Sequence, residues 1–325
     1  MKTVRWGIIG CGDVTEVKSG PALQKADNSE LVAVMRRDGE KAKDYAERHG
    51  VPRWYDDADA LINNPQVNAV YIATPPDLHM HYTMAVAKAG KPVYVEKPMA
   101  RNHQECQTMV KVCKDAGVPL FVAYYRRGLP RFLKIKELIH SGAIGEVQLA
   151  SITLRQPPET AIEPDNIPWR YIPEIAGGGL YLDLASHMLD IFDFLLGPIH
   201  SVEGSASNRA GLYPAEDIVT GSFTFESGAH GVGSWCFTSF DEYDLNEIIG
   251  TKGKISYSCF GNDPILLITD QGIEKFDIVN PLHIQQPLIQ TVVNDLIGIG
   301  KCASNGNTAA RTSWVMDQML KHLYL

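Results

Sequence analysis

The stretch VRWGIIGCGDVTE, residues 4–16, decides the fold. An apolar, β-branched segment passes through Gly10 and Gly12 into a helical pattern, which is the order strand, glycine turn, helix. In such a turn the first glycine permits the tight bend. The second lets a pyrophosphate approach the backbone and the helix N-terminus. Asp13 and Val14 open the helix and join Gly10 and Gly12 as candidate cofactor contacts. The third position of the fingerprint is Thr15, where glycine or alanine is usual. A glycine pair is common between strands and helices, so its weight comes from the surrounding rhythm.

Residues 1–123 keep that rhythm. Strand candidates are TVRWGIIG (3–10), LVAVM (31–35), AVYIAT (69–74), PVYVE (92–96) and PLFVA (119–123). Helical stretches such as DGEKAKDYAERHG (38–50) and LHMHYTMAVAKAG (78–90) lie between them, each ending at a capping glycine. Near-continuous apolar strands alternating with helices predict an α/β fold, a Rossmann domain with a doubly wound parallel sheet over 1–123. From Tyr124 the rhythm changes. PRFLKIKELIHSG (130–142) reads as a helix and EVQLASITLR (146–155) as a strand, and a polar, proline-bearing stretch runs from Gln156 to Gly179. Alternating segments follow an amphipathic helix: DIVTGSFTF (217–225), AHGVGSWCF (229–237), YDLNEIIG (243–250) and GKISYS (253–258). Helical stretches around 284–299 and 308–323 close the chain. Residues 124–325 are expected to form an α+β domain with a large, mostly antiparallel open sheet.

The chain has 325 residues, 45% hydrophobic and 21% charged, with a formal net charge of −8. That length suits about two domains. No basic tract or aromatic-basic stripe supports a nucleic-acid partner, and no apolar run of ~18 residues supports a membrane span. The six cysteines are scattered, without a CxxC or a histidine beside them, so they read as reduced thiols and not as a metal site. The start, MKTVRWGIIGCG, enters a strand without a signal-peptide pattern, and a cytoplasmic protein is expected.

In a doubly wound sheet the ligand lies at the carboxyl ends of the strands. The second strand ends in Arg36-Arg37-Asp38. An acid there would hold the ribose of NAD, whereas arginine suits the 2′-phosphate of NADP, and Asp38 reads as the cap of the next helix. NADP is therefore preferred over NAD, against the plainer reading of two solvated arginines. Other strand ends carry Thr74-Pro75-Pro76, Glu96-Lys97-Pro98 and Tyr124-Tyr125-Arg126-Arg127. Pro98 restricts Lys97 to extended geometry. The lysine is then either an ordinary loop entry or a group aimed to stabilise a developing alkoxide. Whether the Lys97–Pro98 bond is cis is not a matter sequence decides. Finally, GGGLYLDLASHMLDIFDFLLG (177–197) carries Asp183 and His187 four residues apart, hence on one helical face. Alone, they fit a surface or capping pair as well as a catalytic one. Asp190 and Asp193 on the same helix read as structural.

These stretches together resemble the glucose–fructose oxidoreductase / inositol dehydrogenase / rhizopine-catabolism (Gfo/Idh/MocA) family of nicotinamide-dependent oxidoreductases. The matching segments are GIIGCGDV (7–14), ATPPDLH (73–79), AGKPVYVEKPM (89–99), VAYYRR (122–127), IPWR (167–170) and the glycine-led helix (177–197), in the family's order along nearly the whole chain. The resemblance implies a catalytic group of Lys97, Asp183 and His187. His187 would be the general acid/base, Asp183 would position it or a substrate hydroxyl, and Lys97 would polarise the reacting oxygen. It also implies cofactor contacts at Thr74, Pro75, His79 and Glu96, and substrate contacts at Tyr125, Arg126, Trp169 and Arg170. Many relatives carry asparagine where this chain has Tyr125. For Trp169-Arg170 the alternative is a packed tryptophan with the arginine stacked on it. In the dihydrodiol dehydrogenase branch a tyrosine stands where this chain has His187, which favours the sugar and cyclitol branches.

The implied activity is hydride transfer between NAD(P) and a secondary alcohol or carbonyl of a sugar, cyclitol or related polyol. An NAD-dependent glycosidase with tightly bound cofactor and a non-catalytic nicotinamide-sensing regulator are the alternatives on the same scaffold. Relatives commonly pair subunits through the second-domain sheet, so a homodimer or homotetramer is expected.

Overall fold

The computed structural model describes residues 1–159, 162–163 and 166–324. The chain forms two compact units. One comprises Met1–Leu129 with Pro281–Ala310, and the other comprises Pro130–Asn280 with the chain from Arg311 on.

The first unit begins with β1 (Val4–Ile9), a π turn (Thr15–Ser19) running into α1 (Gly20–Lys25), β2 (Ser29–Met35), α2 (Gly39–His49) and β3 (Trp54–Tyr55). It continues with α3 (Ala58–Ile62), β4 (Ala69–Ile72), α4 (His79–Lys88), β5 (Val93–Val95), α5 (His103–Asp115) and β6 (Leu120–Val122). The strands pair in parallel in the order β3-β2-β1-β4-β5-β6, the Rossmann order, in which the chain reverses its direction of travel between β1 and β4. Both faces are covered, and β1, β4, β5 and β6 are buried almost throughout. Asp38 accepts a hydrogen bond from the Lys41 amide at 3.2 Å and caps α2, as its position in the sequence suggested. Gly50, at φ 65°, ends that helix.

The second unit contains α6 (Pro130–His140), β7 (Val147–Arg155), a short α7 (Pro173–Ala176), a π turn (Tyr181–Ala185) and α8 (Ser186–Leu196). Its remaining strands are β8 (Ile199–Ser207), β9 (Ile218–Phe225), β10 (His230–Cys236), β11 (Tyr243–Gly250), β12 (Gly253–Tyr257), β13 (Ile265–Thr269) and β14 (Gly272–Phe276). Eight strands form one sheet in the order β14-β13-β12-β11-β7-β10-β9-β8; every pairing is antiparallel except β7 with β10. Of the polar stretch expected from Gln156 to Gly179, residues 160, 161, 164 and 165 lie outside the described residues.

One face of that sheet carries the core. Phe192 of α8 packs with Phe223 and Phe225 of β9, and Phe132 of α6 packs edge-on to Tyr257 of β12. After β14 the chain returns to the first unit. There α9 (Gln286–Ile297) buries Leu288, Ile289, Val292 and Val293. A division with all of 124–325 in one domain does not include this return; the apolar stripe of α9 is matched to the first unit, not to the sheet that precedes it in sequence. The last helix, α10 (Gly306–Tyr324), places Met319 where β8 and β9 have only glycine. A Cβ on Gly204 would lie 2.6 Å from the Met319 Cα, and one on Gly221 would lie 2.2 Å from its sulfur.

The α8–α10 contact includes a bidentate pair, Arg311 Nε and Nη2 each donating at 2.8 Å to the buried Asp193 carboxylate. Arg311→Met strands that carboxylate. The expected loss is about 2–3 kcal/mol, reduced from the fully buried case because the arginine is part-exposed, and it is read from the denaturant midpoint at unchanged slope.

Candidate active site

In the first unit, the loop after β1 is shaped by its glycines. Gly10 sits at φ 91°, and a Cβ there would lie 3.0 Å from the Thr74 backbone nitrogen, so the loop rests directly on the end of β4. At Gly12 a Cβ would meet nothing nearer than the Gly10 carbonyl oxygen at 3.9 Å, leaving the helix start open. Thr15, the departure from the fingerprint, ties the loop to itself: its hydroxyl accepts from the Gly12 amide at 3.0 Å and donates to the Gly12 carbonyl at 2.7 Å. The amides of Asp13 and Val14, at the start of the helix, are then the ones placed to meet an anion.

Charge at this end of the unit is arranged to suit an anion despite the acidic chain. Glu16 on the π turn accepts two hydrogen bonds from Arg48, both 2.8 Å, and faces His49 at 2.7 Å. The Arg48 hydrogen bond holds its carboxyl down at about 2. Its negative charge is therefore paired where a phosphate would otherwise be repelled. Arg36, just past β2, donates to the Cys11 carbonyl at 3.3 Å, and Arg37 beside it is exposed. The Thr74 hydroxyl, next to Gly10, is buried and has no hydrogen-bond partner among the described residues, as expected of a group whose partner is a bound molecule. Open backbone, paired acid, arginines at β2 and an orphaned hydroxyl fit a dinucleotide.

The Lys97–Pro98 peptide is cis. Two buried side chains fasten the segment around it. Glu96 accepts from the Tyr71 hydroxyl, from Gln285 Nε2 at 2.7 Å and from the Lys97 amide at 3.2 Å. His79, wholly buried at the start of α4, has Nδ1 3.1 Å from the Pro98 carbonyl and Nε2 2.8 Å from the Thr74 carbonyl. Burial pushes its pKa below the ordinary histidine value, so the ring is neutral near pH 7 and donates from one nitrogen. It packs between the β4 and β5 loops, bonded to a carbonyl of one of them, and is not placed as a proton donor to solvent. Tyr125 and Arg126 lie buried in a 3₁₀ turn after β6, with the Arg126 guanidinium carbon 4.9 Å from the Tyr125 ring centre.

In the second unit, Asp183 lies in a π turn, not the α-helix that its spacing suggested. The wider winding leaves it one turn before His187, which opens α8 and is buried. Asp183 pairs with Arg170 (Nε to Oδ2, 3.3 Å), and the same guanidinium stacks 4.3 Å over Trp169. The stacking of Arg170 on Trp169 is the packed arrangement given as the alternative for this pair, and the arginine also pairs with Asp183. The His187 and Phe260 rings stand nearly perpendicular with centres 6.1 Å apart.

The three glycines before this turn have distinct causes. Gly177, at φ 87°, caps α7. At Gly178 a Cβ would lie 3.1 Å from the Glu216 carboxylate, and at Gly179 it would lie 2.9 Å from the Glu216 carbonyl oxygen. Glu216, fully buried, accepts from the Gly179 amide at 2.8 Å and from the Tyr324 hydroxyl at 2.7 Å. Burial raises its pKa above the usual carboxylate range. Sequence reasoning missed Glu216, Tyr324, Gln285, Phe260 and the Arg170–Asp183 pair. Each depends on residues far apart in the chain or on a turn with no local signature. Asp193 and Asp190 are structural, held by Arg311 and by Thr312 at 3.4 Å.

Comparison with known proteins follows the same division. Residues 4–124 match the model of an oxidoreductase family with an NAD-binding Rossmann fold, and residues 132–256 match a GFO/IDH/MocA C-terminal domain. The chain is 41% identical over 315 residues to Oxidoreductase P35 of Formosa agariphila, covering 97% of each. It is 30% identical over 275 residues to the myo-inositol 2-dehydrogenase of Thermotoga maritima, covering 83% of this chain and 79% of the relative. Its fold matches a levoglucosan dehydrogenase in complex with NADH and levoglucosan with a TM-score of 0.86, at 23% identity over 98% of this chain and 96% of that one. The chain belongs to the GFO/IDH/MocA family of oxidoreductases, and its first unit is that family's NAD-binding Rossmann fold.

Proposed function

We propose that this oxidoreductase interconverts a secondary alcohol and a carbonyl in a sugar, cyclitol or related polyol, with NADP(H) preferred over NAD(H). The observation that carries the reading is the pairing of Asp183 with Arg170 one turn before the buried His187. The carboxylate is held one turn from an imidazole, the side-chain type suited to general acid/base work. The inositol-dehydrogenase relative supports the cyclitol class.

A nicotinamide dinucleotide, when bound, supplies or accepts the hydride. Gly10, Gly12 and the first-turn amides of Asp13 and Val14 would hold its pyrophosphate. Thr74 and Pro75 would line it, with His79 and Glu96 fastening the loops beneath. Lys97 donates to the reacting oxygen and stabilises alkoxide character, and His187 takes or returns the hydroxyl proton. Asp183 orients His187 or a neighbouring hydroxyl, while Tyr125, Arg126, Trp169 and Arg170 satisfy the remaining hydroxyls. Preference for NADP rests on Arg36 and Arg37 at the end of β2, where Asp38 is engaged as a helix cap. The cytoplasm is the proposed compartment, consistent with six thiols.

Nicotinamide absorbance is followed with NADP and NAD on a panel of sugars, polyols and cyclitols. Lys97→Met is expected to lower kcat by about 10²–10³-fold with cofactor affinity retained; unchanged turnover would sink the role given to Lys97. Replacing Arg36 and Arg37 together by alanine should weaken NADP by at least about tenfold and leave NAD nearly unaffected. Equal losses for both cofactors would remove the 2′-phosphate assignment. The outward face of the eight-stranded sheet leaves Val232 and Tyr243 part-exposed, and we assign a homodimer or homotetramer to it. Sedimentation equilibrium should give at least twice the chain mass, and Val232→Glu should reduce it.

A further inference from the structure

The helix that follows the glycine loop does not begin as an α-helix. Residues Thr15–Ser19 wind as a π turn, and the Thr15 carbonyl takes the amide of Gly20, five residues on. Such winding is rare, carries one residue more than an α turn and recurs at functional sites. Donors from outside the helix hold it here. The Tyr45 hydroxyl of α2 donates to the Thr15 carbonyl at 2.8 Å. Tyr45 is buried and its ring stacks on His49, with centres 4.2 Å apart. Burial pushes its hydroxyl up to about 12, so it keeps the proton it donates. From the chain just before α9, His283 Nδ1 lies 2.7 Å from the Val17 carbonyl, and its Nε2 lies 2.7 Å from Lys25 Nζ. An ammonium only donates, so Nε2 accepts and Nδ1 carries the proton given to Val17. Two carbonyls of one five-residue turn are thus bonded by side chains that reach it from other parts of the first unit.

Thr15 joins this turn to the glycine loop. Its hydroxyl is bonded to both the amide and the carbonyl of Gly12, so loop and turn move together. In α winding the Thr15 carbonyl would take the Ser19 amide in place of the Gly20 amide. Losing the extra residue would turn one end of the helix against the other by about 100°. The later end is fixed, because Ala22 and Leu23 of α1 are wholly buried. The rotation would therefore fall on the first turn, which carries the Asp13 and Val14 amides. Gly20 belongs to the same device, since a Cβ there would lie 2.2 Å from the Tyr45 hydroxyl.

We propose that Tyr45 and His283 are positioning residues for dinucleotide binding, because the π turn they hold sets the direction of the Asp13 and Val14 amides. This rests on the placing of the pyrophosphate at the glycine loop given above. The pyrophosphate is common to NAD(H) and NADP(H), so both cofactors respond alike. Affinity falls with the fraction of molecules that keep the binding-competent winding.

The test is a fluorescence titration with NADH and NADPH in the absence of substrate, with thermal unfolding as the check on folding. Tyr45→Phe and His283→Leu should each weaken both cofactors equally, by at least about fivefold. His283→Asn, whose amide nitrogen can stand in for Nδ1, should stay within about twofold of wild type. In the cofactor-free protein, hydrogen exchange over residues 14–20 should quicken in Tyr45→Phe. A lowered melting temperature with unchanged dissociation constants overturns the inference and leaves both residues purely structural. So does a loss confined to one cofactor. Gly12→Ala tests the seat itself, since a Cβ there meets no protein atom nearer than 3.9 Å and fills only the space left for the pyrophosphate. Undiminished binding by Gly12→Ala overturns the placing of the pyrophosphate, and this inference with it. Weakened binding by Gly12→Ala beside unchanged binding by Tyr45→Phe and His283→Leu overturns this inference alone.

Discussion

A carboxylate taken into a protein interior must have its oxygens filled by donors, and two such groups hold the segments that carry the proposed catalytic residues. In the first unit Glu96 is filled by Tyr71, Gln285 and the amide of Lys97. In the second Glu216 is filled by the amide of Gly179 and by Tyr324. The arrangement is the same in each. One donor is the backbone of the candidate functional segment, and another comes from late in the chain. Leaving a buried carboxylate short of a donor costs a large part of a domain's stability, so the donors dictate where the backbone goes. Gly178 and Gly179 are a consequence, because the carboxylate and its own carbonyl occupy the space a side chain would need. Lys97 and the Asp183 turn thus inherit their positions from groups that do not themselves react.

That dependence explains what the sequence discloses. The Rossmann sheet was legible because its signals are local: a buried strand and its following turn lie within a dozen residues, and Gly10, Gly12, Arg36 and Arg37 are read in place. Among the elements not anticipated are some whose burial is slight or whose pattern is broken. β14 is exposed along nearly its whole length, and β3 has only two residues. The buried stripe of α5 includes Glu105, acceptable in the interior because Arg101 pairs with it. The donors that fill Glu96 and Glu216 are invisible for a different reason. Gln285 is separated from Glu96 by 189 residues, and Tyr324 from Glu216 by 108. No periodicity spans such distances; only the folded topology brings these residues together. The same holds for α9, whose apolar stripe announces a buried helix but not the unit that buries it.

The winding of two helices bears on what a four-residue spacing can tell. Both begin with a π turn, Thr15–Ser19 in the first unit and Tyr181–Ala185 in the second. A π turn closes its hydrogen bonds one residue later than an α turn and so carries an extra residue. In the first unit the Thr15 carbonyl takes the Gly20 amide and the Tyr45 hydroxyl, at 2.8 Å for the latter, and a Cβ on Gly20 would lie 2.2 Å from that hydroxyl. Nothing in TEVKSG announces this, because the partner that demands it is on α2. In the second unit the wider turn contains Asp183 and ends two residues before His187, the two residues whose spacing suggested a shared face. Four residues run a little past one α turn, at about 3.6 residues per turn, and a little short of one π turn. The side chains are neighbours in either winding. A four-residue spacing is therefore a statement about a face and not about a helix type, which is why it pairs an acid with an imidazole while leaving the turn that carries the acid unread.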